Sequence, residues 1–221
     1  MEKIENALLA TMLGDRAWGD DVQVTRVNLP PGPLLGELGE SAYFSVDALI
    51  SWVPAHSAQS AVALVGHRGG VLLPSDPSAF VQAHVVSPGH AYRLDWTSVR
   101  QDPSRFTPWL WHTTSAAQSL IGQIAQWSFC ALHHSPSQRL ASWLLHGLAQ
   151  SPKTELLLSV QALPLVMQQW LSSSYAVEAQ AIHEAGYTVK DGCLRTTAKA
   201  QLLVQACSCH ATIANPNSAL C

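Results

Sequence analysis

Charged residues are scarce in this 221-residue chain, at 12% of the sequence, and the formal net charge is only −3. With so few basic residues, bulk positive charge cannot hold the chain on nucleic acid or anionic lipid, so any such binding must be local. The hydrophobic share of 48% excludes a disordered or low-complexity polypeptide. No apolar run reaches the roughly 18 residues of a membrane span, and charges interrupt the N-terminal stretch where a signal peptide has its apolar core. We therefore expect a cytoplasmic protein that binds no membrane.

Cysteine is absent from the first half of the chain, and all five cysteines lie at or beyond Cys130. An odd number of cysteines in a cytoplasmic chain predicts free thiols rather than a disulfide framework. The sequence contains no P-loop, no H-E-x-x-H, no G-x-S-x-G and no paired carboxylates in an apolar frame. These absences argue against an enzyme.

The segment from Val22 to about Trp96 consists of short apolar stretches separated by turn residues. A spacing of about 8 to 12 residues between turn signals is typical of an antiparallel β-sandwich or barrel. Ahead of it, apolar residues at helical spacing predict a small helix from Glu2 to Leu13.

A long helix is predicted from Thr113 to His134, where apolar residues recur at helical spacing and no charged residue occurs. Gln118, Gln123 and Gln126 are expected on its opposite side. An uncharged helix of this length is best explained if one face packs on the β domain and the other on a second subunit. The predicted homodimer interface comprises Ala117, Leu120, Ile121, Ile124 and Trp127. The alternative is a core helix of a monomer.

After Ser137 the pattern predicts three helices, with sequences QRLASWLLHGLAQ, SVQALPLVMQQW and YAVEAQAIHEAG. They are followed by a β-hairpin around Asp191-Gly192 and by a last helix from Ala198 to Cys209. Three helices and a hairpin predict a winged helix-turn-helix. The fold class is therefore α+β, with an N-terminal antiparallel β-roll of jelly-roll type (residues 1–112), a dimerisation helix and hinge (113–136) and a winged helix-turn-helix domain (137–221).

This order of elements resembles the Crp/Fnr superfamily of bacterial transcription regulators over nearly the whole chain. Local stretches that carry the resemblance are LPPGPLLGELGES, AVALVGHRGGVLLP, ALHHSPSQRLASWLL, AIHEAG and LLVQACSCH. The resemblance implies a homodimer that senses a small molecule in the β-roll and presents two recognition helices to the DNA major groove.

The stretch that corresponds to the family's effector pocket includes Arg68, Gly69 and Gly70 and continues to Ala79. Family members that bind cyclic nucleotides use a Glu for the ribose and an Arg for the phosphate, and this chain has neither after Arg68. A buried phosphate without a cationic partner is costly, so we expect no cyclic nucleotide and interpret the glycines as turn residues. The iron-sulfur branch needs N-terminal cysteines, which are missing, and the histidines of the β domain show no pairing that predicts haem. No cofactor is expected.

The motif Cys207-x-Cys209-His210 could supply metal ligands, with Cys130 and His133-His134 as candidate additions near the hinge. Structural zinc usually draws on two paired motifs, so this motif alone is half a site. The sequence favours Cys207 as a small buried apolar residue on the last helix, and no metal.

The predicted DNA-binding residues lie on the recognition helix and the wing: Ser172, Ser173, Ser174, Tyr175, Gln180, Lys190 and Arg195. From Thr154 to Val189 there is no Lys or Arg, although these side chains supply most phosphate neutralisation and the commonest base contact. Two or three phosphate contacts per subunit remain, through Lys190, Arg195 and either Lys153 or Arg139. Pro164, inside the first of the two helices, predicts a kink or a late start.

Two functions fit this sequence. The first is a dimeric, DNA-binding regulator of the Crp/Fnr type with an unknown effector or none. The second is a degenerate relative that keeps the dimer but acts through protein contacts, for example with RNA polymerase or another regulator. Salt-dependent DNA binding distinguishes them.

Overall fold

The structure is a computed structural model, and it describes residues 4–13, 23–34, 40–55, 63–73, 80–163, 167–169, 171, 186–196 and 199–210. Helix α1 comprises Ala7–Leu13, and eight strands follow. They are β1 (Val24–Leu29), β2 (Gly32–Pro33), β3 (Ser41–Ser45), β4 (Leu49–Pro54), β5 (Ala63–Val65), β6 (Gly70–Leu72), β7 (Val81–Ser87) and β8 (Gly89–Asp95). After them come helices α2 (Trp96–Arg100), α3 (Pro103–His133) and α4 (Pro136–Gln150), strands β9 (Leu156–Ser159), β10 (Tyr187–Lys190) and β11 (Cys193–Thr196), and a terminal helix (Lys199–Gln205).

The first eight strands form two antiparallel four-stranded sheets with the orders β1-β8-β3-β6 and β2-β7-β4-β5. Apart from β4 and β5, consecutive strands alternate between the two sheets, and residues of both sheets share a common core. This arrangement confirms the predicted α+β class and its antiparallel β domain.

Helix α1 begins at Ala7, later than predicted. The Asn6 side chain accepts a hydrogen bond from the Leu9 amide at 2.8 Å and donates to the carbonyl oxygens of Ser45 and Gly69 at 2.7 and 2.9 Å. Asn6 therefore caps the helix while it anchors the chain to the β domain, which sets the start of the helix.

Helix α3 is longer than predicted, because it starts well before Thr113. Asp102 caps its N-terminus by accepting a hydrogen bond from the Ser104 amide at 2.9 Å, and Pro103 occupies the first turn. Proline is favoured there because its missing amide has no helical partner in any case. Pro108 lies inside the helix. The boundary predicted at residue 112 therefore falls within a continuous helix.

Helix α4 starts two residues before the predicted first residue, Gln138, and a capping box between Ser135 and Gln138 fixes its start. The second predicted helix is wrong in its first part. Leu156–Ser159 is a strand, Val160–Ala162 is a single 3-10 turn and Leu163 is extended. In this part of the chain, α-helical backbone is described only at 167–169 and 171. Pro164 accounts for this, since the residue before a proline disfavours helical backbone.

One core joins the two ends of the molecule. It contains Leu49 and Leu64 of the β-roll and Trp127 of α3. It also contains residues of α4, of strands β9, β10 and β11, and of the terminal helix. The C-terminal part is thus packed directly on the β-roll. No helix in the described ranges is long and apolar enough to span a bilayer.

Candidate nucleic-acid interface

The predicted hairpin is present and forms the wing. Strands β10 and β11 pair antiparallel, and Asp191 and Gly192 both have positive φ, at 51° and 75°. Two positive φ angles define the two-residue turn that matches the twist of a hairpin. Strand β9 extends the pair to a sheet with the order β10-β11-β9. Strand β9 was not predicted, and in it the buried Leu156 and Leu158 alternate with the exposed Leu157.

The wing carries less available positive charge than its sequence suggests. Arg195 forms an ion pair with Glu155 at 3.0 Å, across from β11 on the chain leading into β9. Lys153 forms an ion pair with Asp47 of the β-roll at 2.8 Å. Lys190 is exposed next to the hairpin turn. Of the basic residues expected to contact phosphates, two are therefore already engaged by carboxylates.

The other predicted DNA-binding residues, Ser172, Ser173, Ser174, Tyr175 and Gln180, lie outside the described residues. Leu171, just before them, is buried in the shared core.

Helix α3 has an exposed apolar face. Leu110, Ile121 and Leu132 expose 49%, 65% and 83% of their surface, and Ala117 and Ile124 are also exposed. These positions follow helical spacing, so they form one stripe along the helix. Three of the predicted interface residues, Ala117, Ile121 and Ile124, therefore point away from their own chain.

The other two predicted interface residues face inward. Trp127 is only 8% exposed and belongs to the core that joins α3 to α4, while the partly buried Leu120 packs on the core between the β sheets. Trp127 must be removed from the predicted interface, because its own chain already covers it. Gln123, expected on the side of the helix opposite the apolar residues, is also buried.

Gln123 links three elements through one oxygen. Its Oε1 accepts a hydrogen bond from the backbone amide of Leu64 in β5 at 3.1 Å and lies 3.1 Å from Nε2 of His146 in α4. Because Oε1 can only accept, the proton of His146 resides on Nε2. Burial lowers the pKa of His146 to about 4, so the imidazole is neutral at physiological pH. No sequence pattern singled out this junction.

Four metal-binding side chains meet where α3 ends. Cys130 and His134 come from the last turn of α3, and Cys207 and Cys209 from the segment after the terminal helix. Burial raises the pKa of the Cys130 thiol, and the neighbouring Cys207 adds to the effect. His210, part of the Cys-x-Cys-His motif, instead places Nδ1 2.9 Å from the Cys207 carbonyl oxygen.

Several solved structures have a similar arrangement. A double mutant of CooA from Carboxydothermus hydrogenoformans is 10% identical, and the match covers 90% of this chain and 95% of that one with a TM-score of 0.52. FixK2 from Bradyrhizobium japonicum is 12% identical over 84% of this chain and 98% of its own, with a TM-score of 0.54. A CRP-family transcriptional regulator from Thermus thermophilus is 13% identical over 82% and 96%, with a TM-score of 0.54. The chain has the Crp/Fnr fold. Neither a protein-family model nor a curated protein sequence matches it.

Within this Crp/Fnr fold, the predicted effector stretch begins as a tight turn between β5 and β6 and continues through β6. Arg68 is exposed on the turn. A Cβ atom on Gly69 or Gly70 would lie 2.9 Å from Val65 Cγ1 or 2.8 Å from the Phe44 ring, so close packing requires glycine at both positions. The remainder of the stretch, residues 74–79, lies outside the described residues.

Proposed function

We propose that the chain is a DNA-binding transcription regulator that acts as a homodimer. The observation that carries this proposal is the wing, which follows a β-roll and a long helix without charge beyond Arg105, in the order of the Crp/Fnr fold. The same fold supports a binding protein rather than an enzyme.

The dimer forms through the exposed stripe of α3. Ala117, Ile121 and Ile124 supply apolar surface, and no charged residue occurs between Thr113 and His134. Two such stripes can pack together without burying an unpaired charge, and that pairing removes the exposed apolar surface from water.

DNA contact occurs through the wing and through the segment 172–185. Lys190 contacts a phosphate, whereas Arg195 and Lys153 are held by Glu155 and Asp47. One or two phosphates neutralised per subunit correspond to a slope of log K against log salt of about −2 to −4 for the dimer. This slope is shallower than the roughly −4 to −5 that two or three contacts per subunit would produce.

The test is selection of bound fragments from random DNA with the full-length protein, followed by titration of the selected fragment at several salt concentrations. Lys190→Ala should weaken binding to all sequences alike, because a phosphate contact carries no sequence information. Glu155→Gln should strengthen binding and steepen the slope by about 2 for the dimer, because it frees one Arg195 per subunit for the backbone. No retained fragment even at low salt would reject DNA binding and favour the protein-contact alternative.

The effector is not a cyclic nucleotide. Arg68 lies on an exposed turn, and the glycines beside it are packed against Val65 and Phe44. Calorimetry with cyclic AMP and cyclic GMP at millimolar concentration should give no saturable heat. Micromolar binding of either ligand would contradict this prediction, and Arg68→Ala would then test the phosphate contact.

A further inference from the structure

The Cys and His side chains at the end of α3 are arranged as a set of four ligands. The potential ligand atoms of Cys130, His134, Cys207 and Cys209 all lie within 4.8 Å of one another. Cys130 and His134 are one helical turn apart, so the end of α3 places both on one side, and the His134 amide donates to the Cys130 carbonyl oxygen at 3.1 Å. The other two ligands come from a distant part of the chain, the segment that follows the terminal helix.

Two of the six distances between ligand atoms are close to those within a tetrahedral metal site, and all six are within 4.8 Å. With Zn–S bonds of about 2.3 Å and Zn–N bonds of about 2.0 to 2.1 Å, two sulfurs lie about 3.8 Å apart and a sulfur and a nitrogen about 3.6 Å apart. Cys130 Sγ and Cys207 Sγ are 3.8 Å apart, and His134 Nε2 lies 3.3 Å from Cys209 Sγ. The separation of the sulfurs is also too long for a disulfide, and both thiols are free.

Polar groups contact two of the three sulfurs. The Gln126 side-chain amide donates to Cys130 Sγ at 3.7 Å. The Ser142 hydroxyl lies 3.1 Å from Cys207 Sγ and accepts a hydrogen bond from the Cys207 amide at 3.1 Å. Cys130 and Cys207 are buried, whereas His134 and Cys209 are partly exposed. This leaves two ligands on the solvent side through which an ion can enter.

We propose that Cys130, His134, Cys207 and Cys209 bind one Zn²⁺ ion and that the ion fixes the C-terminal segment to the hinge between α3 and α4. Binding converts three thiols and a neutral imidazole into a Cys3His complex and releases three protons to solvent. A complete set of four protein ligands leaves no open coordination position, so the site is structural rather than catalytic. An iron-sulfur cluster distributes its four protein ligands over two or more irons, whereas these four ligand atoms all lie within 4.8 Å of one another. The inference does not depend on DNA binding.

The first experiment measures metal in the full-length protein, purified without chelators and without a metal-affinity step. We expect one zinc per chain by elemental analysis. After removal of the metal, Co²⁺ should restore one equivalent and produce the intense visible absorption of tetrahedral thiolate coordination. This measurement uses the unaltered chain, so it does not depend on the folding of any variant.

Matched variants then identify the ligands. Cys209→Ser and His134→Ala should each weaken zinc binding by more than about 100-fold, since loss of a group that merely orients a ligand already costs about 10- to 100-fold. Cys193→Ser and His210→Ala are the controls. Cys193 is exposed on β11 away from the cluster, and His210 belongs to the sequence motif but not to the four-ligand set. Both controls should retain one zinc per chain with unchanged affinity.

Four results would overturn the proposal. The first is a protein without zinc whose cobalt titration shows no thiolate absorption. The second is iron and sulfide with charge-transfer absorption after anaerobic purification, which would make the same residues an iron-sulfur site. The third is a Cys130–Cys207 disulfide found by mass spectrometry in metal-free protein, which would make them a redox pair. The fourth is a loss of zinc in His210→Ala with zinc retained in His134→Ala, which would show that His210 of the sequence motif is the ligand in place of His134.

Discussion

His146 should make the stability of this chain depend on pH below neutrality. Its side chain is 2% exposed and donates from Nε2 to Gln123, and burial lowers its pKa to about 4 from an ordinary value of 6.5. Between these two pH values the unfolded chain binds a proton at His146 and the folded chain does not. The free energy of unfolding therefore falls as the pH falls from about 6.5 towards 4.

The magnitude follows from the two pKa values. The full shift corresponds to about 3 kcal/mol, and about 2 kcal/mol of it is lost between pH 7.5 and pH 5. The loss at pH 5 is a substantial part of the free energy of unfolding of a typical domain, which is about 5 to about 15 kcal/mol. Urea denaturation at the two pH values, followed by circular dichroism, measures it directly.

His146→Gln is the matched control, because its side-chain amide can donate to Gln123 from a position near that of Nε2 but does not titrate. The variant should lose about 2 kcal/mol less than the unaltered protein between pH 7.5 and pH 5. Other titrating groups contribute equally to both proteins and cancel in the difference. Equal pH dependence in the two proteins would refute the assignment of a buried, neutral His146.

Two further predictions concern α3 and the contact between the β-roll and α4. The double substitution Ile121→Asp and Ile124→Asp should convert the dimer into monomers in sedimentation experiments, because two carboxylates per chain would be buried without partners. An unchanged dimer would exclude this face as the interface. Gly66→Ala should destabilise the chain by roughly 1 to 3 kcal/mol in urea denaturation, because its Cβ would clash with the backbone oxygen of Gln150. Gly122→Ala, whose Cβ meets nothing within 4 Å, should instead raise the free energy of unfolding by about 1 kcal/mol; equal effects of the two substitutions would contradict the contact.

Local chemistry made much of the secondary structure predictable. The positive φ angles at Asp191-Gly192 follow from a dipeptide that adopts this turn with little strain, so the hairpin could be located from two residues. Helical periodicity located α3 and α4, and the order of elements predicted the fold. The start of α3 was predictable in principle from Asp102-Pro103, a capping residue followed by proline, but it was placed too late.

Tertiary packing decided which side chains face each other, and no local pattern contains that information. Trp127, Ile121 and Gln123 all lie in one uncharged part of α3, and only the position of α4 and β5 determines which of them is buried. Arg195 forms its ion pair with Glu155, which lies far earlier in the chain. Nothing in the sequence links the two residues, so Arg195 was predicted to contact a phosphate.

The cluster of Cys130, His134, Cys207 and Cys209 shows most clearly what the sequence determined and what the tertiary structure decided. The sequence by itself determined the ligand types and the two short spacings: Cys130 to His134, which one helical turn places on one side, and Cys207 to Cys209. Only the tertiary structure brought the two pairs together. The terminal helix packs on α4, and this packing places Cys207 next to Cys130 although the two are far apart in the sequence. Half of a ligand set is uninformative in a sequence, since its partners can be supplied from any distance along the chain, whereas the fold fixes the distance between them.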